Sequence, residues 1–266
     1  MSIMLQKRGK RGQITIFVII GIMIVISILL FFLFRKGIIP VPGGGKSEEN
    51  PVSYIESCIE PKIKEAIEVI SSQGGYINNN LNIRFKFDED KEAKNISYLC
   101  YNQNYYLSCI NQEPMLIQHL KDEIKIYIKK DVENCVQNLK KSLENNGYKV
   151  DMNYRDFSVE LIPKKVLVTL DMDVTFSKSG ESSTRNNFKF AVASRFYDLS
   201  IVVQEIISQE ARFCNFEQLG YMLFYPDYNI DKFRTGGSTT IYTVEDRTSR
   251  EKFRFAVRGC VIPPGF

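Results

Sequence analysis

The chain has 266 residues, 44% hydrophobic and 25% charged, a balance that excludes wholesale disorder, collagen and coiled-coil rods. Its net charge of +4 has one source: residues 1–36 hold six basic residues and no acid, so residues 37–266 carry 29 basic against 31 acidic residues. Nucleic-acid binding is therefore not expected, because the basic excess belongs to the flanks of a single apolar segment.

That segment runs from Ile14 to Phe34, 21 residues without a charge, broken only by Thr15, Gly21 and Ser27. A helix of that length spans roughly 30 Å, the thickness of a bilayer's hydrocarbon core, and it shows no polar face. Lys7, Arg8, Lys10 and Arg11 precede it and Arg35 and Lys36 follow. The excess on the short N-terminal side predicts residues 1–13 in the cytoplasm, a transmembrane helix over 14–34 and an extracytoplasmic remainder. A cleaved secretory signal would have a shorter apolar core and a small-residue cleavage site, and Arg35-Lys36-Gly37-Ile38-Ile39-Pro40 follows instead. A signal-anchor in the cell membrane, with the lipid bilayer as first partner, is the expectation.

Lys10-Arg11-Gly12-Gln13, followed directly by the apolar run, resembles the class III signal of archaeal type IV pilins and archaellins. The resemblance implies cleavage after Gly12, with Gln13 as the first mature residue and the apolar helix retained. Phe17 stands at the fifth mature position, where many such pilins carry Glu, and Gly37 and Pro40 end the apolar helix early.

Residues 35–52 read as a linker: two prolines, Gly43-Gly44-Gly45, then polar residues and Pro51. Gly45-Lys46-Ser47 mimics the end of a phosphate-binding loop, but Pro40 occupies the position of the required first glycine. A helix-rich part is expected over 53–147. Its first helix is capped at Ser53 and runs to about Gln73 on a stripe of Ile55, Ile59, Ile63, Ile67 and Ile70, with Pro61 as a kink or restart. Leu81, Ile83, Phe85 and Phe87 alternate as a strand, Tyr98–Tyr106 suggests another, and a second helix is expected from Pro114 to about Glu144. From 148 to 266 the period changes to two. Phe157 to Leu161, Val166 to Phe176 and Phe188 to Val192 read as paired strands. A helix through Leu199–Ile207 follows, and then strands around Tyr221–Tyr225, Thr239–Val244 and Phe253–Val261. The fold class is α+β with antiparallel pairing dominant.

Cys58, Cys100, Cys109, Cys135, Cys214 and Cys260 all lie on the expected outer side, an even number that favours disulfides over metal. Fifteen pairings are open to six cysteines; the expected set is Cys100–Cys109 as a local clip, Cys58–Cys135 between helices, and Cys214–Cys260 from the third helix to the last strand. The lone His119 reads as a residue on a helix surface, and Asp171 and Asp173 as the polar face of a strand. The acidic turn Asp88–Asp90 lacks the ligand spacing of a calcium loop. No catalytic residue, metal or cofactor is expected. Tyr101, Asn102, Asn104, Tyr105 and Tyr106 form a composition suited to a recognition surface, and Asn95-Ile96-Ser97 is a glycosylation sequon. Three function classes follow. The first is a membrane-anchored surface protein with a non-enzymatic binding or scaffolding ectodomain, partnered by other envelope proteins or by itself. The second is a pilin-like filament subunit, and the third an exported hydrolase without a motif.

Overall fold

The structure, a computed structural model, describes residues 19–25, 50–235 and 238–261. It divides into two units, Met1–Glu49 and Asn50–Phe266. In the first unit residues 19–25, the centre of the apolar run, are helical (α1), and their large aliphatic side chains are exposed. No helix among the described residues is long and apolar enough to cross a membrane. The remainder of the 14–34 run, the Gly12–Gln13 junction and residues 35–49 lie outside the described residues.

The second unit opens with α2 (Pro51–Ser72). Its cap is Asn50 rather than the expected Ser53: the Asn50 side chain accepts from the Val52 amide at 3.1 Å, and Pro51 occupies the first turn, where a missing N–H costs nothing. The helix therefore begins inside the expected linker. Pro61 neither ends nor restarts it. The stripe of Ile55, Ile59, Ile63, Ile67 and Ile70 is buried along the whole length, each residue contributing roughly 1.5–3 kcal/mol, which outweighs the bond lost at the proline. Gly74, at φ +77, passes against the Ser97 carbonyl, so the chain turns there without room for a side chain.

Strands β1 (Asn82–Phe85) and β2 (Lys94–Tyr101) pair antiparallel, and the short β3 (Ile110–Asn111) pairs with the end of β2. Helix α3 (Leu116–Asn145) packs along α2 and also meets β4 and α4, and its buried stripe includes Leu120, Ile124, Ile128, Val132, Val136 and Leu139. Next come the long antiparallel strands β4 (Lys149–Ile162) and β5 (Lys165–Lys178), and then β6 (Glu181–Arg185) and β7 (Phe188–Ala193), which pair with successive halves of β5. Alternation in β5 buries Val166, Val168, Leu170, Met172 and Val174 on one face.

Helix α4 (Phe196–Phe213) is followed by α5 (Gln218–Phe224), where the sequence suggested a strand. The Glu217 side chain accepts from the Leu219 amide, and Pro226 prevents continuation, so a short helix forms where burial does not alternate. Strands β8 (Tyr228–Arg234), β9 (Thr240–Asp246) and β10 (Lys252–Arg258) complete the larger sheet in the order β1-β2-β10-β9-β8. All its pairs are antiparallel except β2 with β10. That parallel pair joins the stretch before Gly147 to the stretch after it, and one core draws on α2, α3, α4 and both sheets. The helix-rich and strand-rich halves of the sequence thus belong to a single unit, because neither set of elements buries its apolar face alone. The unit is α+β with antiparallel pairing dominant.

Candidate functional site

The six cysteines stand in three bonded pairs. Cys58 on α2 joins Cys135 on α3 with Cα atoms 6.0 Å apart, Cys100 joins Cys109 at 5.2 Å, and Cys214 joins Cys260 at 5.9 Å. The last two converge on one region of the surface. Between Cys100 and Cys109 the chain leaves β2, makes an exposed loop and returns as β3.

Hydrogen bonds fix that loop along its length. The Asn102 amide donates to the Arg258 carbonyl at 2.7 Å, and the Arg258 guanidinium returns a bond to the Asn102 carbonyl. The Asn102 side chain accepts from the Asn104 amide and donates to the Ser108 carbonyl, both at 2.9 Å, the short-range turn bonding in which asparagine excels. The Tyr106 amide donates to the Val261 carbonyl and the Cys260 amide to the Leu107 carbonyl, so the segment after β10 runs beside the loop. Gly259 lies so close to Cys109 that an added Cβ would sit 2.6 Å from its amide nitrogen.

This scaffold sorts the five residues singled out by composition. Tyr101 and Asn102 are half-buried and structural: the Tyr101 ring contacts Tyr98 at 5.1 Å and lies under Arg258. Asn104, Tyr105 and Tyr106 are exposed. With Leu107 and Ile110 they place four large apolar side chains in solvent at 48–65% exposure, on a backbone closed by a disulfide. Tyr106 holds φ +61, an uncommon conformation for a non-glycine residue. Across the Cys214–Cys260 bridge, Phe213 at the end of α4 is also exposed.

The other singled-out residues lie elsewhere. The Nε2 of His119 is 2.9 Å from the Gly75 carbonyl and the ring contacts Tyr76, so the histidine is half-buried and closes the turn after α2 rather than lying free on a helix surface. Asp171 and Asp173 share Arg155, the extra residue at an irregularity in the β4–β5 register, whose guanidinium holds the Asp171 carboxyl below its ordinary range. Glu89 and Asp90 both engage Arg254. Asn95 is exposed on β2 opposite Arg84, while Ser97 of the same sequon is buried.

Two buried polar clusters escape the sequence patterns. Glu210 of α4 accepts from the Tyr242 hydroxyl and faces Lys232 at 3.6 Å, and burial pushes that amine below its ordinary value. Arg195 bonds the fully buried Asp246 at 2.8 Å, and the Glu251 carboxylate accepts from the Arg195 amide and the Ser194 hydroxyl at the start of α4. Glu210 continues the stripe of Leu199, Val202, Val203, Ile206 and Ile207; an acid in an apolar stripe is the signal that marks it. These groups pair internally and serve the core.

Comparison with protein families finds none that matches the chain, and comparison with curated proteins finds no similar sequence.

Proposed function

We propose that the chain is a single-pass, membrane-anchored cell-surface protein. Residues 14–34 span the membrane, the N-terminus is cytoplasmic, and the Asn50–Phe266 unit is a non-enzymatic binding module whose recognition element is the loop Gln103–Ser108. One observation carries the reading of the loop. Tyr105, Tyr106 and Leu107 expose large apolar surface on a backbone already fixed by the Cys100–Cys109 bridge and by bonds to residues 258–261. A preorganised aromatic loop binds without a large ordering cost, and tyrosine supplies contact area with few rotatable bonds. The outside location is supported by the three cysteine pairs in the same unit, since structural disulfides persist in oxidising compartments. The anchor is supported by the uncharged 21-residue run and its basic flank.

Protease added to intact cells tests the location: residues 37–266 are degraded and an N-terminal tag survives, whereas protection of the whole unit overturns the orientation. A photo-crosslinking amino acid at Tyr105 tests the loop against the same group at Ile126, an exposed residue of α3. Tyr105 is expected to yield a discrete adduct that Tyr106→Asp abolishes. The same products at both sites, or none at Tyr105, remove the loop's assignment.

A second reading rests on Lys10-Arg11-Gly12-Gln13: cleavage after Gly12 and assembly into a pilin-like filament. Intact mass of protein taken from membranes separates the two. A start at Gln13 together with filaments lost on substituting Gly12 selects the filament subunit; a start at Met1 or Ser2 removes it.

A further inference from the structure

The Glu210–Lys232 pair serves the core, and a third group reaches it. Lys232 extends its amine inward from β8; its side chain is 9% exposed and that of Glu210 8%. The Nζ lies 3.6 Å from Glu210 Oε1, the oxygen that also accepts from the Tyr242 hydroxyl, and 5.5 Å from the centre of the Tyr242 ring. Its shortest contact is to the side-chain oxygen of Asn215, at 2.7 Å, and it donates a further bond to the Phe216 carbonyl at 3.2 Å. An amine, a carboxamide and a carboxylate thus meet beside the buried rings of Phe216 and Tyr242.

Backbone on both sides holds them there. Asn215 follows Cys214, which is bonded to Cys260 and takes the left-handed cap of α4, while Lys232 stands opposite Tyr242 in the β8–β9 ladder. With a C=O bond of about 1.23 Å, Asn215 Cγ lies no more than about 3.9 Å from Nζ, near the separation at which an oriented intramolecular attack is favoured. The nucleophile in such an attack is the neutral amine, and burial holds the Lys232 amine below its ordinary value. Asn215 itself is exposed, so released ammonia has a direct path to solvent.

We propose that Lys232 and Asn215 join in an intramolecular isopeptide bond, with Glu210 as the proton carrier. The Lys232 ammonium passes a proton to the Glu210 carboxylate, and the neutral amine attacks Asn215 Cγ. Glu210 gives that proton to the amide nitrogen and takes a second from the lysine nitrogen. The Cγ–Nδ2 bond breaks, the new Nζ–Cγ bond remains, and the departing ammonia collects the second proton and leaves as ammonium. The exchange is redox-neutral and needs no co-reactant. The bond ties the α4–α5 junction to β8 beside the Cys214–Cys260 bridge, and unlike that bridge it survives reduction. It depends neither on the membrane anchor nor on the recognition loop.

The test is tryptic digestion of the full chain after denaturation, reduction and alkylation, read by mass spectrometry. No Lys or Arg lies between Arg212 and Lys232, so an unbonded chain yields the peptide Phe213–Lys232. The bonded chain is expected to resist cleavage at Lys232 and to yield Phe213–Arg234, closed as a ring and lighter by one ammonia. Asn215→Ala, a change at an exposed residue, is expected to restore cleavage after Lys232 with no ammonia lost. Glu210→Gln is expected to slow bond formation by at least about 100-fold; should that buried change prevent folding, Asn215→Ala still decides. Complete cleavage after Lys232 in the unaltered protein overturns the proposal, including the case of an ammonia lost to a succinimide at Asn215, which leaves Lys232 free. A ring that persists in Asn215→Ala, or one that forms at an unchanged rate in Glu210→Gln, overturns it as well.

Discussion

Removing the disulfides one at a time, as Cys→Ala pairs, separates their contributions by loop length. The bridges close 77, 46 and 9 residues for Cys58–Cys135, Cys214–Cys260 and Cys100–Cys109. With the chain-entropy expression these correspond to about 4.5, 4.0 and 2.6 kcal/mol at 25 °C. The short loop lies inside the long one, but shortening 77 residues by 9 changes the first value by only about 0.1 kcal/mol, so the order is robust. For a unit of this size 1 kcal/mol moves the midpoint by about 2–4 °C. Loss of Cys58–Cys135 is therefore expected to lower Tm by about 9–18 °C and loss of Cys100–Cys109 by about 5–10 °C. Differential scanning calorimetry on oxidised protein reads both. Equal shifts, or a larger shift for the short loop, would refute loop closure as the source of the stabilisation. Together the three values rival the whole stability of an ordinary domain, so reduction of all three is expected to leave the unit marginal or unfolded.

Two further outcomes follow from buried polar groups. Arg254→Leu leaves Asp90, 11% exposed, without its cation and is expected to cost about 3–5 kcal/mol in urea unfolding; a loss under about 1 kcal/mol contradicts this role, and Glu89, 59% exposed, contributes little either way. Burial raises the phenols of Tyr154 and Tyr221 to about 12, and those of Tyr98, Tyr228 and Tyr242 also rise, from an unfolded value near 10. The native state therefore holds protons that the unfolded chain has released, and the stability these groups contribute is complete below about pH 10 and lost as pH rises towards 12. With no tryptophan in the chain, absorbance at 295 nm reports tyrosinate cleanly; the part of its rise that belongs to these five tyrosines is expected to coincide with loss of far-ultraviolet dichroism, and their ionisation near pH 10 in a folded protein would contradict their burial.

What the sequence made legible was periodic. The isoleucine stripe of α2, the stripe of α3 and the alternation through β5 each specify one face, and each buries it. What it hid was set by distant partners. Nothing near Lys94–Tyr101 announces that β2 pairs in parallel with β10, some 150 residues later, and α5 resembled a strand because short apolar runs carry no decisive period. Composition drew attention to the stretch between Cys100 and Cys109, yet Tyr101 and Tyr105 look alike in sequence. Only the Tyr98 ring and Arg258 decide that the first supports the loop while the second faces solvent.

The parallel pairing of β2 with β10 also explains why the loop is rigid. Parallel strands end at the same edge of a sheet, so the chain leaving Tyr101 and the chain leaving Arg258 emerge side by side. Each supplies the other's missing hydrogen-bond partners, at Asn102 with Arg258, Leu107 with Cys260, and Tyr106 with Val261. The Cys100–Cys109 bridge closes the first segment, and Cys214–Cys260 ties the second to the end of α4, where Cys214 takes the left-handed cap at φ +53. Ordering a residue's backbone costs about 1–2 kcal/mol, so an unrestrained loop of this length would forfeit several kcal/mol whenever it bound a partner. Here that ordering is completed during folding. On the proposal that this loop is a recognition element, the exposed rings of Tyr105 and Tyr106 would meet a partner on a backbone already fixed, and the two bridges would act on affinity through that backbone rather than through any contact of their own.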